Sequence, residues 1–370
     1  MVKMAKLLDL RYQKMERTPE EMVKHLNEFN LKPKLSVGIW YFAPGGGRFH
    51  ERFVPELSIE ERLNIAAEMK GIKGIEAHYP NEINEDNVDL YKSLEKESGI
   101  KVVGIPFAHF YDKKFEFGAM SNPNPEVRNQ ARDIAIGAMK LAKELGTPNV
   151  ITWPGMDGYT YPLGNFYSWM WKYYDQCMAE AIDAVPGVRV ALEPKPYEPA
   201  INNIFRTTAE GILAGQRIEA KLKNPENIKI LKEGHAIFGL NPEFGHVRMG
   251  YESAGAAYAL VGMHGRLAHV HVNSQPLGNY DQDLNVGVVD IQQAYAMFYA
   301  LKMMGYKEYI GIDINPEHMP VTTAIEINVE MINKISNKLD TLPHDEIIEA
   351  YLNPDKNRGT LEKILMNKLY

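Results

Sequence analysis

Val188-Arg189-Val190-Ala191-Leu192-Glu193-Pro194-Lys195-Pro196-Tyr197-Glu198-Pro199 runs from an apolar strand signal directly into a carboxylate and an amine two residues apart. Proline fixes φ and biases the residue before it toward extended backbone. The segment is therefore stiff, and Glu193 and Lys195, at i and i+2, fall on one face of it. A structural ion pair has little need of such rigidity. A site that must hold a cation and also grip an anionic oxygen does.

Working outward, seven further short apolar or β-branched runs flank this one: Leu35–Trp40, Ile72–Ala77, Val102–Phe107, Asn149–Trp153, Ala236–Leu240, Leu267–Val272 and Glu308–Ile312. Helical patterns stand between them, clearest at Ile59–Lys70, Pro125–Leu145, Tyr167–Ala184 and Ile291–Met304. Gly or Pro precedes most of the strands, as at helix C-termini. Eight strand–helix repeats predict an α/β fold with a parallel sheet closed into a (β/α)8 TIM barrel. An open doubly wound sheet would need a Gly-rich phosphate loop before a helix. Gly45-Gly46-Gly47 lacks that spacing and reads as a mobile loop. Residues 1–321 are expected to form the barrel. Residues 322–370 are expected to form its last helix, Thr323–Leu339, and a Lys-rich helical tail that reaches a neighbouring subunit.

The 370 residues are 45% hydrophobic and 24% charged, ordinary for a globular chain, and the net charge of −7 speaks against nucleic acid or an anionic membrane as partner. Cys177 is the single cysteine, so no internal disulfide can form and a reducing, cytoplasmic location is expected. No apolar run approaches the roughly 18 residues of a membrane span, and the first residues lack a signal-peptide pattern.

In such barrels chemistry sits where the strands exit at their C-terminal ends. Those positions carry Trp40, His78, His109, Trp153, Glu193 with Lys195, Glu243 with His246, His271 and Asp313, and the loop after the seventh strand adds Asp281-Gln282-Asp283. Oxygen-rich sites suit Mg²⁺ and Mn²⁺, and an added imidazole tilts toward Mn²⁺ or Co²⁺. Glu193, Glu243, His271 and Asp313 are placed to converge on one ion. Glu243, His246, Asp281 and Asp283 are placed to hold a second, with Glu243 bridging. Each piece alone is ordinary: a lone D-x-D is usually a solvated loop, and His271 could be a satisfied core histidine. So many charges at one mouth, however, repel one another unless cations offset them.

The runs Leu192-Glu193-Pro194-Lys195-Pro196, Asn241-Pro242-Glu243-Phe244-Gly245-His246 and Tyr280-Asp281-Gln282-Asp283-Leu284, followed by Ile312-Asp313, resemble the xylose (glucose) isomerases from Trp40 to Asp313. The resemblance implies a TIM barrel, two divalent cations (Mn²⁺, Mg²⁺ or Co²⁺) with no organic cofactor, and aldose–ketose isomerisation of a small sugar by a hydride shift between C1 and C2. It implies catalytic roles for His78 in ring opening, Lys195 at substrate O1, and Asp283. It also implies substrate contacts at Trp40, Asn81, His109 and Trp153, with Phe49 lent across a subunit interface in a homodimer or homotetramer.

Three positions depart from that pattern. His271 stands where the family has a metal-binding aspartate, as in the related rhamnose isomerases and ketose 3-epimerases. Asn81 replaces an aspartate three residues after His78, and Asn315 replaces a lysine two residues after Asp313. The substrate is therefore expected to differ from xylose itself. The competing readings are a ketose 3-epimerase working through an enediolate, a metal-dependent phosphodiesterase, and a silent sugar-binding barrel. The short Asp313 counts against the first, the acidic charge and Glu193-Pro194-Lys195 against the second, and the full ligand set against the third.

Overall fold

The computed structural model describes residues 7–42, 56–316 and 318–369. Eight parallel strands form one sheet: β1 (Lys34–Gly38), β2 (Ile72–Glu76), β3 (Lys101–Pro106), β4 (Asn149–Thr152), β6 (Arg189–Leu192), β8 (Phe238–Leu240), β9 (His271–Val272) and β10 (Tyr309–Ile312). Their order is β8-β6-β4-β3-β2-β1-β10-β9. Parallel bridges Leu240↔Leu267 and Glu243↔His271 join β8 to the β9 side and close the ring. The two-residue strands β5 (Gly158–Tyr159) and β7 (Asn202–Asn203) form an antiparallel ribbon above the barrel.

The strands are buried on both faces, so they read as continuous apolar runs with no alternation. Val37, Ile75, Ile105, Val190, Leu240 and Ile310 are all fully buried. The helices between them are set by local chemistry. Ser58 caps Ile59–Glu68 with a capping box to Glu61. Asn124 caps Pro125–Leu145, which ends at Gly146 in the left-handed conformation. Tyr167–Ala184, Ile291–Met304 and Val321–Asp340 also form as the periodicity predicts.

The seventh strand is shorter than its apolar run. Ala268 and His269 both donate to the Leu240 carbonyl (2.9 and 3.2 Å), a local bulge that interrupts the ladder. The Gln13 side chain takes the place of a strand partner, donating to the Leu267 carbonyl at 3.0 Å and accepting from its N–H at 3.2 Å. Leu10 seats against Ile151, Ala191 and Ala268 in a small apolar cluster. The N-terminal segment therefore plugs one end of the barrel and leaves the other for chemistry.

The tail forms two helices, His344–Leu352 and Thr360–Lys368. Both are anchored on their own chain: Tyr299 Oη lies 3.1 Å from His344 Nδ1, and Lys338 Nζ donates to the Leu369 carbonyl at 2.7 Å. None of the described helices is long and apolar enough to cross a membrane.

Candidate active site

Parallel strands deliver their last side chains to one rim, and here the proline-braced segment after β6 is tied in place from both sides. Glu193 N–H donates to the Thr152 carbonyl of β4 (2.9 Å), Lys195 N–H to Phe205 (3.1 Å), and Asn203 N–H to Pro196 (3.2 Å). Glu193 and Lys195 are buried.

Two clusters of donor atoms form beside them, each with its atoms within 4.8 Å of one another: Glu193, Glu243, His271 and Asp313 in one, Glu243, His246 and Asp281 in the other. His271 Nδ1 lies 2.9 Å from Glu193 Oε2 and 3.1 Å from Asp313 Oδ2, aligned as a hydrogen bond with neither. His246 Nε2 lies 3.2 Å from Glu243 Oε2 and 3.1 Å from Asp281 Oδ2. Lys195 Nζ stands 2.8 Å from Asp281 Oδ2 and over the Trp153 ring, 5.0 Å from its centroid. Asp283 is not gathered into the second cluster. Its backbone is left-handed (φ 44°) rather than extended, so Asp281 and Asp283 do not simply share a face. It joins the site through Asn273, whose Nδ2 donates to Asp283 Oδ1 (2.9 Å) and to Glu243 Oε1 (2.7 Å).

The electrostatics are those of a crowded acidic mouth. Burial, reinforced by the charges of Asp281 and Asp283, pushes the Glu243 carboxyl well above its usual range, and burial with Asp281 and Asp313 does the same to Asp283. Burial acts upward on Asp281 as well, but His246 and Lys195 outweigh it and hold that carboxyl low. For Lys195 burial acts downward, and the Asp281 charge overrides it and raises the ammonium. For His271 burial also acts downward, and Glu76, Asp313 and Glu193 raise the imidazolium well above its ordinary value. One lysine and two imidazoles cannot offset Glu193, Glu243, Asp281, Asp283 and Asp313 together. His246 Nδ1, His271 Nδ1 and Asp281 Oδ1 are buried without hydrogen bonds. Carboxylate oxygens with one imidazole per cluster and unpartnered atoms aimed inward are a donor set that fits divalent cations.

Aromatic rings wall the mouth. Trp40 lies 4.5 Å from His78 between ring centroids and donates from Nε1 to Asp313 Oδ1 (3.3 Å). Phe110 packs edge-on against both His78 (5.5 Å) and Trp153 (5.0 Å). Trp40, Asn81, Asp283, Asn315 and the buried Arg62 line an adjoining cavity of about 900 Å³. Phe49 lies outside the described residues.

Several of these partners were not read from the chain. Asn81 is exposed at the cavity edge and makes no bond to His78. Glu82, one residue further, does: its Oε2 accepts from His78 N (2.6 Å) and lies 2.8 Å from His78 Nδ1. Asn241 donates to Glu193 Oε2 (2.7 Å). Glu76 reaches His269 and His271 from inside the barrel (3.0 and 2.8 Å). A signal existed for two of them: Glu76 is two residues before His78 on the same strand run, and Asn241 follows directly on β8. His109 stands apart from the clusters. Its Nε2 meets the Ala131 carbonyl at 2.8 Å, its ring packs between Phe107 and Phe115, and burial lowers its pKa to about 4. That is a satisfied core histidine, so the geometry gives it no substrate contact.

Comparison with known proteins is decisive for kinship. A model of the xylose isomerase-like TIM barrel matches residues 63–335. The chain belongs to that family. It is 29% identical over 291 residues to a xylose isomerase of Thermus thermophilus, covering 74% of this chain and 70% of that one. Among solved structures, a 3-keto-D-glucoside 4-epimerase of E. coli superposes with a TM-score of 0.58 at 17% identity, covering 82% of this chain and 100% of the other. A D-allulose 3-epimerase from Methylomonas sp. gives 0.58 at 16%, covering 83% and 98%. At such identities these two speak to the fold.

Proposed function

We propose that this protein is a sugar isomerase that interconverts an aldose and a ketose by a hydride shift between C1 and C2, using two divalent cations. The observation that carries the reading is the pair of donor clusters sharing Glu243, with the buried Lys195 ammonium beside them. Kinship with a xylose isomerase supports it. Glu193, Glu243, His271 and Asp313 would hold one cation, and Glu243, His246 and Asp281 the other, with Asp283 held alongside by Asn273. When bound, the cations supply Lewis-acid polarisation of the substrate oxygens.

The chain's own groups do the rest. His78, its Nδ1 side engaged by Glu82, keeps the Nε2 lone pair to take the anomeric hydroxyl proton of a cyclic sugar and return it to the ring oxygen as the ring opens, so Glu82 takes the orienting role that Asn81 cannot. The hydrogen leaves C2 with its bonding pair and joins C1. The O2 proton is given up and O1 gains one, so the sugar's composition is unchanged. Lys195 donates a hydrogen bond to O1 as charge builds there. Trp40, Phe110 and Trp153 exclude water, which lets hydride transfer compete with exchange. The assembly is proposed to be a homodimer or homotetramer in the cytoplasm, on the strength of the resemblance.

The test is a panel of aldoses and ketoses with Mn²⁺, Co²⁺ or Mg²⁺, followed by turnover of the best aldose deuterated at C2. Label retained at C1 of the ketose is the expected result. Complete loss to solvent establishes isomerisation by proton transfer instead, and inversion at C3 of a ketose with no aldose formed establishes an epimerase.

A further inference from the structure

We propose that Glu76 is a positioning residue for the cation site. Its carboxylate holds the Nε2 side of His271 and so aims the Nδ1 lone pair at Glu193, Glu243 and Asp313. The inference rests on the reading of that cluster as a cation site and goes beyond it, because Glu76 touches neither sugar nor ion.

A neutral imidazole has one N–H and one lone pair, and whichever nitrogen gives its proton to a neighbour leaves the other free to ligate. Glu76 Oε2 lies 2.8 Å from His271 Nε2. An ionised carboxylate only accepts, so the proton sits on Nε2 when His271 is neutral. On the opposite edge of the ring, Nδ1 is the atom that lies 2.9 Å from Glu193 Oε2 and 3.1 Å from Asp313 Oδ2, buried and without an aligned hydrogen bond. The other oxygen, Glu76 Oε1, accepts from Ser36 Oγ at 2.7 Å and lies 3.0 Å from His269 Nε2. Both oxygens are therefore committed and the carboxylate cannot rotate away.

The surroundings are shaped for this group. Glu76 is fully buried inside the barrel, where an unpaired carboxylate is costly and an apolar side chain would be the ordinary occupant. Two other strands, β3 and β10, give up a side chain to make room. A Cβ at Gly311 would come within 2.5 Å of Glu76 Oε1, and one at Gly104 within 3.0 Å of Oε2. A barrel interior that clears space on two strands for one carboxylate, and then spends it on the back of a histidine whose front faces an acidic cluster, is arranged to orient that histidine. The same three residues, Glu76, His269 and His271, also have donor atoms within 4.8 Å of one another. A cation there would use His271 Nε2 and compete with the Nδ1 site, so the two arrangements make different predictions.

The test uses the full-length protein stripped with chelator and titrated with Mn²⁺ by electron paramagnetic resonance, without substrate. Glu76→Gln should weaken the site that includes His271 by about 10–100-fold, while His269→Gln, which leaves the His271 contact in place, should change it by less than about threefold. With Mg²⁺ bound, histidine ¹⁵N shifts should show His271 protonated on Nε2 and bare on Nδ1. Unchanged Mn²⁺ affinity in a folded Glu76→Gln protein overturns the proposal, as does a proton on Nδ1 or a cation bound at Glu76. If Glu76→Gln does not fold, the ¹⁵N measurement on the unaltered protein decides. Failure of the unaltered protein to bind Mn²⁺ at all removes the cation-site reading underneath, a result distinct from the others.

Discussion

Replacing Glu243 by Gln should have opposite effects on the protein with and without divalent cations. Glu243 is the residue common to both clusters, and in each the donor atoms lie within 4.8 Å of one another. Two like charges at that separation repel by about 3 kcal/mol at an effective dielectric near 20. Glu243 faces Asp281, Asp283, Glu193 and Asp313, and the imidazole of His246 offsets them in part from Nε2 at 3.2 Å. Burial and these charges make its ionised form costly, by about 1.4 kcal/mol for each pH unit by which the carboxyl stands above its ordinary value. Glutamine keeps the shape and can still accept from Asn273, so the metal-free variant should be more stable than the parent at pH 8 by about 1–3 kcal/mol. Saturating Mn²⁺ at about 1,000 times its Kd should add about 4 kcal/mol to the parent and less than about 1 kcal/mol to the variant. The assay is thermal and urea denaturation of chelator-treated protein, with and without Mn²⁺. A metal-free variant less stable than the parent, together with an intact Mn²⁺ response, would refute the reasoning.

Other outcomes follow from the same structure. Lys195→Met should cut turnover by at least about 10²-fold with Mn²⁺ affinity nearly unchanged; normal turnover would show that Lys195 does not serve the substrate oxygen. Glu82→Gln should lower kcat/KM on cyclic sugars by about 10-fold or more without altering Mn²⁺ binding, and parity with the parent would return His78 to a packing role. Glu243, Asp283 and His271 all have raised pKa values in the folded protein, so at these positions it holds protons that the unfolded chain has lost. Above about 6.5, where His109 with its lowered pKa is neutral in folded and unfolded chain alike, metal-free stability should therefore fall as pH rises through the raised values of these three groups. Cation binding needs these groups deprotonated, so the melting-temperature gap between loaded and stripped protein should widen from pH 5.5 to 8.5; a constant gap would contradict the assignment. Cys177 is buried, donates to the Arg128 carbonyl and has its thiol pushed up to about 12 by burial, so it should resist thiol reagents until the protein unfolds.

Much of the fold is legible in the chain because each strand–helix repeat is a local object. Apolar runs buried on both faces, Ser58 and Asn124 before their helices, and Gly146 after one of them are short-range signals, and eight of them in series admit few closures. The clustered donors Glu193, Glu243, His246, His271, Asp281 and Asp313 are legible for a related reason: in a parallel barrel every strand end reaches the same rim, so position along the strand stands in for position in space. The length of β9 was not legible, since it depends on Gln13 occupying Leu267, some 254 residues away.

What the sequence by itself determined is the architecture and the inventory of chemistry at its open end. What only the tertiary structure decided is how each side chain there is turned. Glu76 and His271 are separated by 195 residues, and nothing local says that one sits behind the other. His109 carries the same residue type at the same rim as His78, yet a carbonyl of the neighbouring helix claims it, whereas Glu82 claims His78. Orientation is set by which hydrogen-bond partner lies within about 3 Å once the barrel has closed, and closure brings together groups that the chain keeps far apart.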